Sequence, residues 1–262
     1  MTVGLHLERS GAVAKLSLDR PEVGNAIDLA TARAFLDAAI SCDSDASVRA
    51  IIITGKGRLF CAGGDVAAFA AAGDALPTLL KEITIPLHAA LQRLLQMKKP
   101  IVSAINGPAA GAGIGLAIAA DIAIAARSAR FSLAYSAIGM TPDAGVTWLL
   151  PRLIGLRRAQ ELCLTNRRLT AEEALAIGMI SQVVDDAELE ARAMEVAENL
   201  AAGPVGAFGA IRRLLFQGST NGLAAQLDLE SESIARQGGS SEGREGVAAF
   251  LEKRPAVFHA AT

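Results

Sequence analysis

Asp143 is one of two acidic residues between Pro100 and Gln160, the other being Asp121, and it stands between Pro142 and Ala144-Gly145-Val146. A solitary carboxylate can take a proton from one carbon and return it to another. Taking a proton from a carbon beside a carbonyl builds negative charge on the carbonyl oxygen. That charge needs fixed N–H donors, which backbone amides at loop-to-helix junctions supply without reorganisation, with the helix dipole adding to them. Gly64, inside Leu59-Phe-Cys-Ala-Gly-Gly-Asp65, and Ala112, inside the glycine-rich run 106–113, stand at two such junctions. Losing one donor of this kind raises a barrier by about 3 to 4 kcal/mol. Structural readings compete: the glycines permit tight turns, and Asp143 caps a helix beginning near Ala144.

The elements that must hold these groups are strands and helices in alternation. Residues 49–54 are rich in β-branched side chains and read as a strand, after which Asp65 reads as the N-cap of a helix over 66–72. Pro100 ends a helix, 101–105 reads as a strand, 106–113 as a turn, and a second helix follows from about Ile114. Further strands are expected at 122–125 and near 131–133, and residues 1–20 alternate around Ser10-Gly11 as a hairpin without the apolar run of a signal peptide. After about Ala171 the pattern predicts helices only, over 171–177, 186–202, 204–217, 221–236 and 242–252. The fold class is α/β, with a core over 1–200 and a helical appendage over 201–262. Within the helical region beyond Ala171, Leu189, Met194, Ala197 and Leu200 recur at helical spacing, and so small a helical region has difficulty burying every such face alone, which points to packing on a neighbouring subunit.

Composition narrows the partners. The 262 residues are 52% hydrophobic with a net charge of −2, so no broad positive field exists for a nucleic-acid backbone. Three scattered cysteines, Cys42, Cys61 and Cys163, suit neither disulfide pairing nor metal-ligand spacing and fit a reducing cytoplasm. The apolar stretch 101–126 is interrupted by Asn106, Pro108, several glycines and Asp121, and reads as buried core rather than a membrane span. Gly111-Ala-Gly113 lacks the third glycine of a dinucleotide fingerprint, because position 116 is Leu116. Asp121 among alanines reads as a hydrogen-bonded structural residue. His6, His88 and His259 lie far in sequence from the segments above and receive no role.

Arg20-Pro21 with Asn25-Ala26, then Phe60 through Asp65, Ile105 through Gly113, Phe131 through Gly139, and Pro142-Asp-Ala-Gly145 resemble, in order and spacing, the signatures of the enoyl-CoA hydratase/isomerase (crotonase) family. The resemblance spans nearly the whole chain. It implies a spiral core of repeated strand-strand-helix units, a helical C-terminal trimerisation region, a homotrimer or dimer of trimers, and acyl-CoA thioester substrates. Coenzyme A then arrives as part of the substrate, and neither a separate cofactor nor a metal is implied. Residue by residue, Gly64 and Ala112 match the two oxyanion-hole amides, the second of which is usually glycine in the family. Asn25, Ala26, Ala62, Asp65 and Val66 match the CoA-binding positions, and Phe250 and Lys253 match a pair lent by a neighbouring subunit. For Lys253, beside Glu252 and Arg254, the competing reading is a solvated helix face.

The family's hydratases carry two glutamates, whose matching positions here are Gly115 and Tyr135. Without them the resemblance favours an isomerase with Asp143 as acid and base, and Tyr135 reads either as lining the acyl pocket or as a packed side chain with its hydroxyl satisfied. The run from Ile138 to Pro151, with 226–230 and 244–250, resembles the branch that isomerises a ring epoxide in phenylacetate degradation. The rivals are an enoyl-CoA hydratase and an inert acyl-CoA-binding homologue.

Overall fold

The computed structural model describes residues 4–258, so His259 lies outside it. In chain order the elements are β1 (Leu5–Ser10), β2 (Val13–Leu18), α1 (Leu29–Ser44), β3 (Ala50–Gly55), α2 (Val66–Ala72), α3 (Leu76–Gln96), β4 (Ile101–Ile105), β5 (Ala109–Ala110), α4 (Ala112–Ile118), β6 (Ile122–Ala126), β7 (Arg130–Ser132), α5 (Val146–Ile154), α6 (Leu156–Thr165), β8 (Leu169–Thr170), α7 (Ala171–Ala176), β9 (Gln182–Val184), α8 (Leu189–Ala202), α9 (Val205–Gly218), α10 (Leu223–Gly238) and α11 (Ser241–Glu252).

Six strands form the main sheet in the order β1-β2-β3-β4-β6-β9, parallel throughout except for the β1–β2 hairpin at one edge. A parallel sheet needs cover on both faces, and its strands therefore read as nearly unbroken apolar runs. In β3 the alternation sends Ile51 and Ile53 into the larger core with α1, α3 and α4, while Ala50 and Ile52 join a second core under α8.

A smaller sheet, β5-β7-β8, lies beside the main one, and an isolated parallel bridge from Cys61 to Ala109 extends it. The chain therefore winds as a spiral: β3, the Cys61 bridge and α2; β4, β5 and α4; β6, β7 and α5. This is the strand-strand-helix repeat that the resemblance implies. Each turn of the spiral carries a loop from one sheet to the other, and the loops stack.

Three expectations are corrected. Residues 182–184 form β9, a parallel partner of β6, so the region beyond Ala171 is not purely helical. Leu189 and Ala197 on α8 are buried against the main sheet with Met194 and Leu200 packed at its margin, so this face is covered within the chain rather than by a neighbour. The second helix begins at Ala112, two residues earlier than expected, because Gly111 at φ 52° and ψ −127° turns the chain sharply into it.

Asp121 is structural as read: one carboxylate oxygen accepts the Ile101 N–H at 2.8 Å and the other pairs with Arg212 at 2.7 Å, joining β4 to α9. The apolar stretch 101–126 is divided among β4, β5, α4 and β6, and among the described residues no helix is long and apolar enough to cross a membrane.

Candidate active site

Two loops meet at one end of the spiral. The first follows β3, where Ile27 N–H donates to the Gly63 carbonyl at 2.7 Å and Asp65 N–H donates to the Ile27 carbonyl at 3.2 Å. This parallel bridge holds Gly64 from one side and leaves its own N–H pointing the other way. Gly63 sits at φ +97°, and a Cβ there would lie 2.9 Å from the Ala110 carbonyl oxygen, so only glycine fits. A Cβ on Gly64 would enter the Phe69 ring at 2.5 Å.

The second loop opens α4. Ala110 N–H donates to the Cys61 carbonyl at 2.8 Å, which ties it to the first loop. Ala112 is the first residue of the helix, and no side chain caps that end. Neither the Gly64 nor the Ala112 N–H has an acceptor among the described residues. An uncommitted N–H at a helix start is a ready anion donor. Both residues line one cavity of about 480 Å³, together with Ala62, Val66, Tyr135 and Asp143.

Cys61 is the fastener beneath both amides. Its thiol donates to the Asn25 carbonyl at 3.3 Å and accepts the Gly63 N–H at 3.4 Å. Burial pushes this thiol up to about 12, above the effect of the Gly63 hydrogen bond, which acts in the opposite direction.

Asp143 enters the cavity from the loop before α5. Ala144 at φ 49° and Gly145 at φ 75° are consecutive left-handed residues, and this turn directs the chain into the helix. The N-cap is Gly145, with no side-chain cap, so the competing capping role for Asp143 is not seen. Instead the Tyr135 hydroxyl donates to Asp143 Oδ1 at 2.6 Å. Burial, followed by the nearby Asp143 charge, pushes the Tyr135 hydroxyl well above its ordinary range, which keeps it a donor.

Position 115 is closed to any side chain, because a Cβ on Gly115 would meet the Ala144 Cβ at 2.7 Å and run into its carbonyl oxygen. A glutamate cannot stand there while the Asp143 loop keeps its path. Around the rest of the cavity, Phe69, Leu80, Leu133 and Met140 supply apolar wall.

The described chain belongs to the enoyl-CoA hydratase/isomerase family. The family model of that description matches residues 8–261. The chain is 44% identical to a Rhodobacter capsulatus protein called "Probable enoyl-CoA hydratase", over 97% of each. It is 41% identical to the 1,2-epoxyphenylacetyl-CoA isomerase of Escherichia coli strain K12, covering 97% of this chain and 96% of that one. The crystal structure of an enoyl-CoA hydratase from Polaromonas sp. JS666 superimposes with a TM-score of 0.92 at 32% identity, covering 96% of this chain and 98% of that one. The fold is thus that of the enoyl-CoA hydratase/isomerase enzymes, and acyl-CoA thioesters are the substrate class consistent with it.

The other residues read from the sequence lie outside the cavity wall. Asn25 is buried, with its amide donating to the Lys56 and Leu59 carbonyls at 2.9 and 2.7 Å and its Oδ1 accepting the Arg20 N–H at 3.0 Å. Asp65 does cap α2, accepting the Ala68 N–H at 3.1 Å, and pairs with Arg20, which also grips the Ala26 carbonyl at 2.8 Å. The Asn25 and Asp65 side chains are thus spent on the loop's shape. Phe250, 83% exposed, and Lys253, at φ 54° as the C-cap of α11, do not line the cavity.

His88, given no role from the sequence, is a correction. It projects from α3, and its Nε2 accepts the Ala144 N–H at 3.1 Å, one residue from Asp143. No sequence signal marks it, since 56 positions separate the partners. His88 also lines a second cavity of about 440 Å³ that shares Asp143 with the first.

Proposed function

We propose that this enzyme is an acyl-CoA isomerase, in which Asp143 moves a proton between two carbons of a thioester-activated acyl group. The observation that carries the reading is the common cavity of Gly64, Ala112 and Asp143, whose wall holds two amides without an acceptor among the described residues and a single carboxylate. The thioester oxygen accepts from both amides. Asp143 removes a proton from C2 of a 3-enoyl thioester, giving a dienolate whose negative oxygen the amides hold. The same carboxyl returns the proton to C4, and the double bond ends between C2 and C3. Tyr135, donating to Oδ1, leaves Oδ2 to do the transfer.

Hydration by two carboxylates lacks its second member, since Gly115 and Tyr135 occupy the positions where the family's hydratases carry glutamate. The apolar wall of Phe69, Leu80, Leu133 and Met140 suits an aliphatic or aromatic acyl group. Kinship with the 1,2-epoxyphenylacetyl-CoA isomerase adds a ring-epoxide thioester to the candidate substrates. Asn25, Ala26, Ala62, Asp65 and Val66 shape the loop that receives the CoA moiety, and Phe250 and Lys253 reach a neighbour's CoA in a trimer. The enzyme works in the cytoplasm, without a cofactor beyond the CoA of its substrate.

A hydratase reading is favoured by the name of the 44% relative. Incubation with a 3-enoyl-CoA and, separately, with crotonyl-CoA distinguishes the two. The isomerase reading expects double-bond migration to exceed hydration by at least about tenfold, the scale of one general acid-base contribution or less. Hydration equal to or faster than migration rejects it, and binding without turnover of either thioester points to an inert homologue.

A further inference from the structure

We infer that His88 is a positioning residue for Asp143, acting through the backbone of Ala144. The inference rests on the reading of Asp143 as the base. Ala144 is fully buried and holds a left-handed conformation at φ 49°, a backbone state that side chains other than glycine adopt only when their surroundings enforce it. Two contacts enforce it here. On one side the bare Gly115 backbone receives the Ala144 Cβ and carbonyl. On the other, His88 Nε2 accepts the Ala144 N–H at 3.1 Å.

A buried N–H without an acceptor is costly, so this bond decides which way the peptide between Asp143 and Ala144 faces. That peptide is the hinge from which the Asp143 side chain leaves the loop. Tyr135 then fixes the carboxylate itself at 2.6 Å, so Asp143 is held from the backbone by His88 and from the side chain by Tyr135. An imidazole that accepts through Nε2 carries its proton on Nδ1. Among the described residues Nδ1 has no partner, and His88 stands on the wall of the second cavity with Gln92 and Thr147.

The test compares His88→Leu, which removes the acceptor, with His88→Gln, whose Oε1 falls near the place of Nε2. For isomerisation of a 3-enoyl-CoA, His88→Leu is expected to lower kcat about tenfold with KM little changed, because the amides that bind the thioester are untouched. His88→Gln is expected to recover to within about threefold of the parent, since a neutral acceptor is restored. In an Asp143→Asn background, His88→Leu adds no further loss. Equal losses in the Leu and Gln variants, or full additivity with Asp143→Asn, overturn the inference. Hydrogen exchange at the Ala144 amide provides a reading without turnover: faster exchange in His88→Leu but not in His88→Gln supports the tie, and unchanged exchange in both contradicts it. Full activity of Asp143→Asn alone would instead defeat the base assignment, leaving the exchange result to judge the tie.

Discussion

Gly115 and Ala144 touch backbone to backbone: the space a Cβ on Gly115 would take is already filled by the Ala144 carbonyl and, at 2.7 Å, by its Cβ. Gly115, which the resemblance matches to a glutamate of the family's hydratases, is here the floor under the Asp143 loop. Restoring that residue is therefore not a route to hydration. Gly115→Glu is expected to abolish isomerisation, gain no hydration of crotonyl-CoA, and lose about 1 to 3 kcal/mol of stability through overpacking. Chemical denaturation and both turnover assays check this, and appearance of hydration with unchanged stability would contradict it.

Removing the Tyr135 hydroxyl leaves the ring in place and frees Asp143 Oδ1. A hydrogen bond to a charged group contributes about 1.5 to 3 kcal/mol, so Tyr135→Phe is expected to lower kcat by roughly 10- to 100-fold. The loss should vanish when Asp143 is already Asn, because the two groups act as one unit. A double-mutant cycle on kcat reads this directly.

Cys61 gives a pH prediction. Its thiol is pushed from its ordinary value near 9 up to about 12 by burial, so the folded chain keeps it protonated where the unfolded chain ionises it. Above about pH 9 the unfolded state binds fewer protons, and stability falls as pH rises toward 12. Cys61→Ala should flatten part of that decline in thermal melts taken from pH 8 upward. At pH 8 a thiol reagent should label the half-buried Cys163 first, with Cys42 and Cys61 reacting only on unfolding.

Arg212 joins the C-terminal helices to the core. Its guanidinium, in a side chain 10% exposed, pairs with Asp121 and donates to the Lys99 and Leu94 carbonyls at 2.9 Å each, and to that of Met97. Arg212→Ala strands these acceptors and is expected to cost about 2 to 4 kcal/mol in urea unfolding. Arg127, in an exposed pair with Asp185, is the control, and its alanine variant should stay within about 1 kcal/mol of the parent.

The sequence carries the strands well where both faces of the sheet are covered. Ile51, Ile52 and Ile53 announce β3 because each is buried, on alternate sides. β9 is silent because Gln182-Val-Val is three residues long, half-buried and at the sheet's edge, too short to express a period. Gly64, Ala112 and Asp143 are readable as a set because loop-to-helix junctions and a lone acid leave marks in one dimension. The supports of Asp143 leave none. The aim of Tyr135 depends on the left-handed turn at Ala134, φ 59°, and the reach of His88 depends on how α3 crosses the loop. Both are facts of packing rather than of spacing.

The most direct measurement is single-turnover isomerisation of a saturating 3-enoyl-CoA by Asp143→Asn. The side chain keeps its shape, an oxygen can still accept from Tyr135, and only the basicity goes. Migration of the double bond should slow by about a hundredfold or more while thioester affinity stays within a few-fold of the parent. Migration at the parental rate would mean that another group carries the proton.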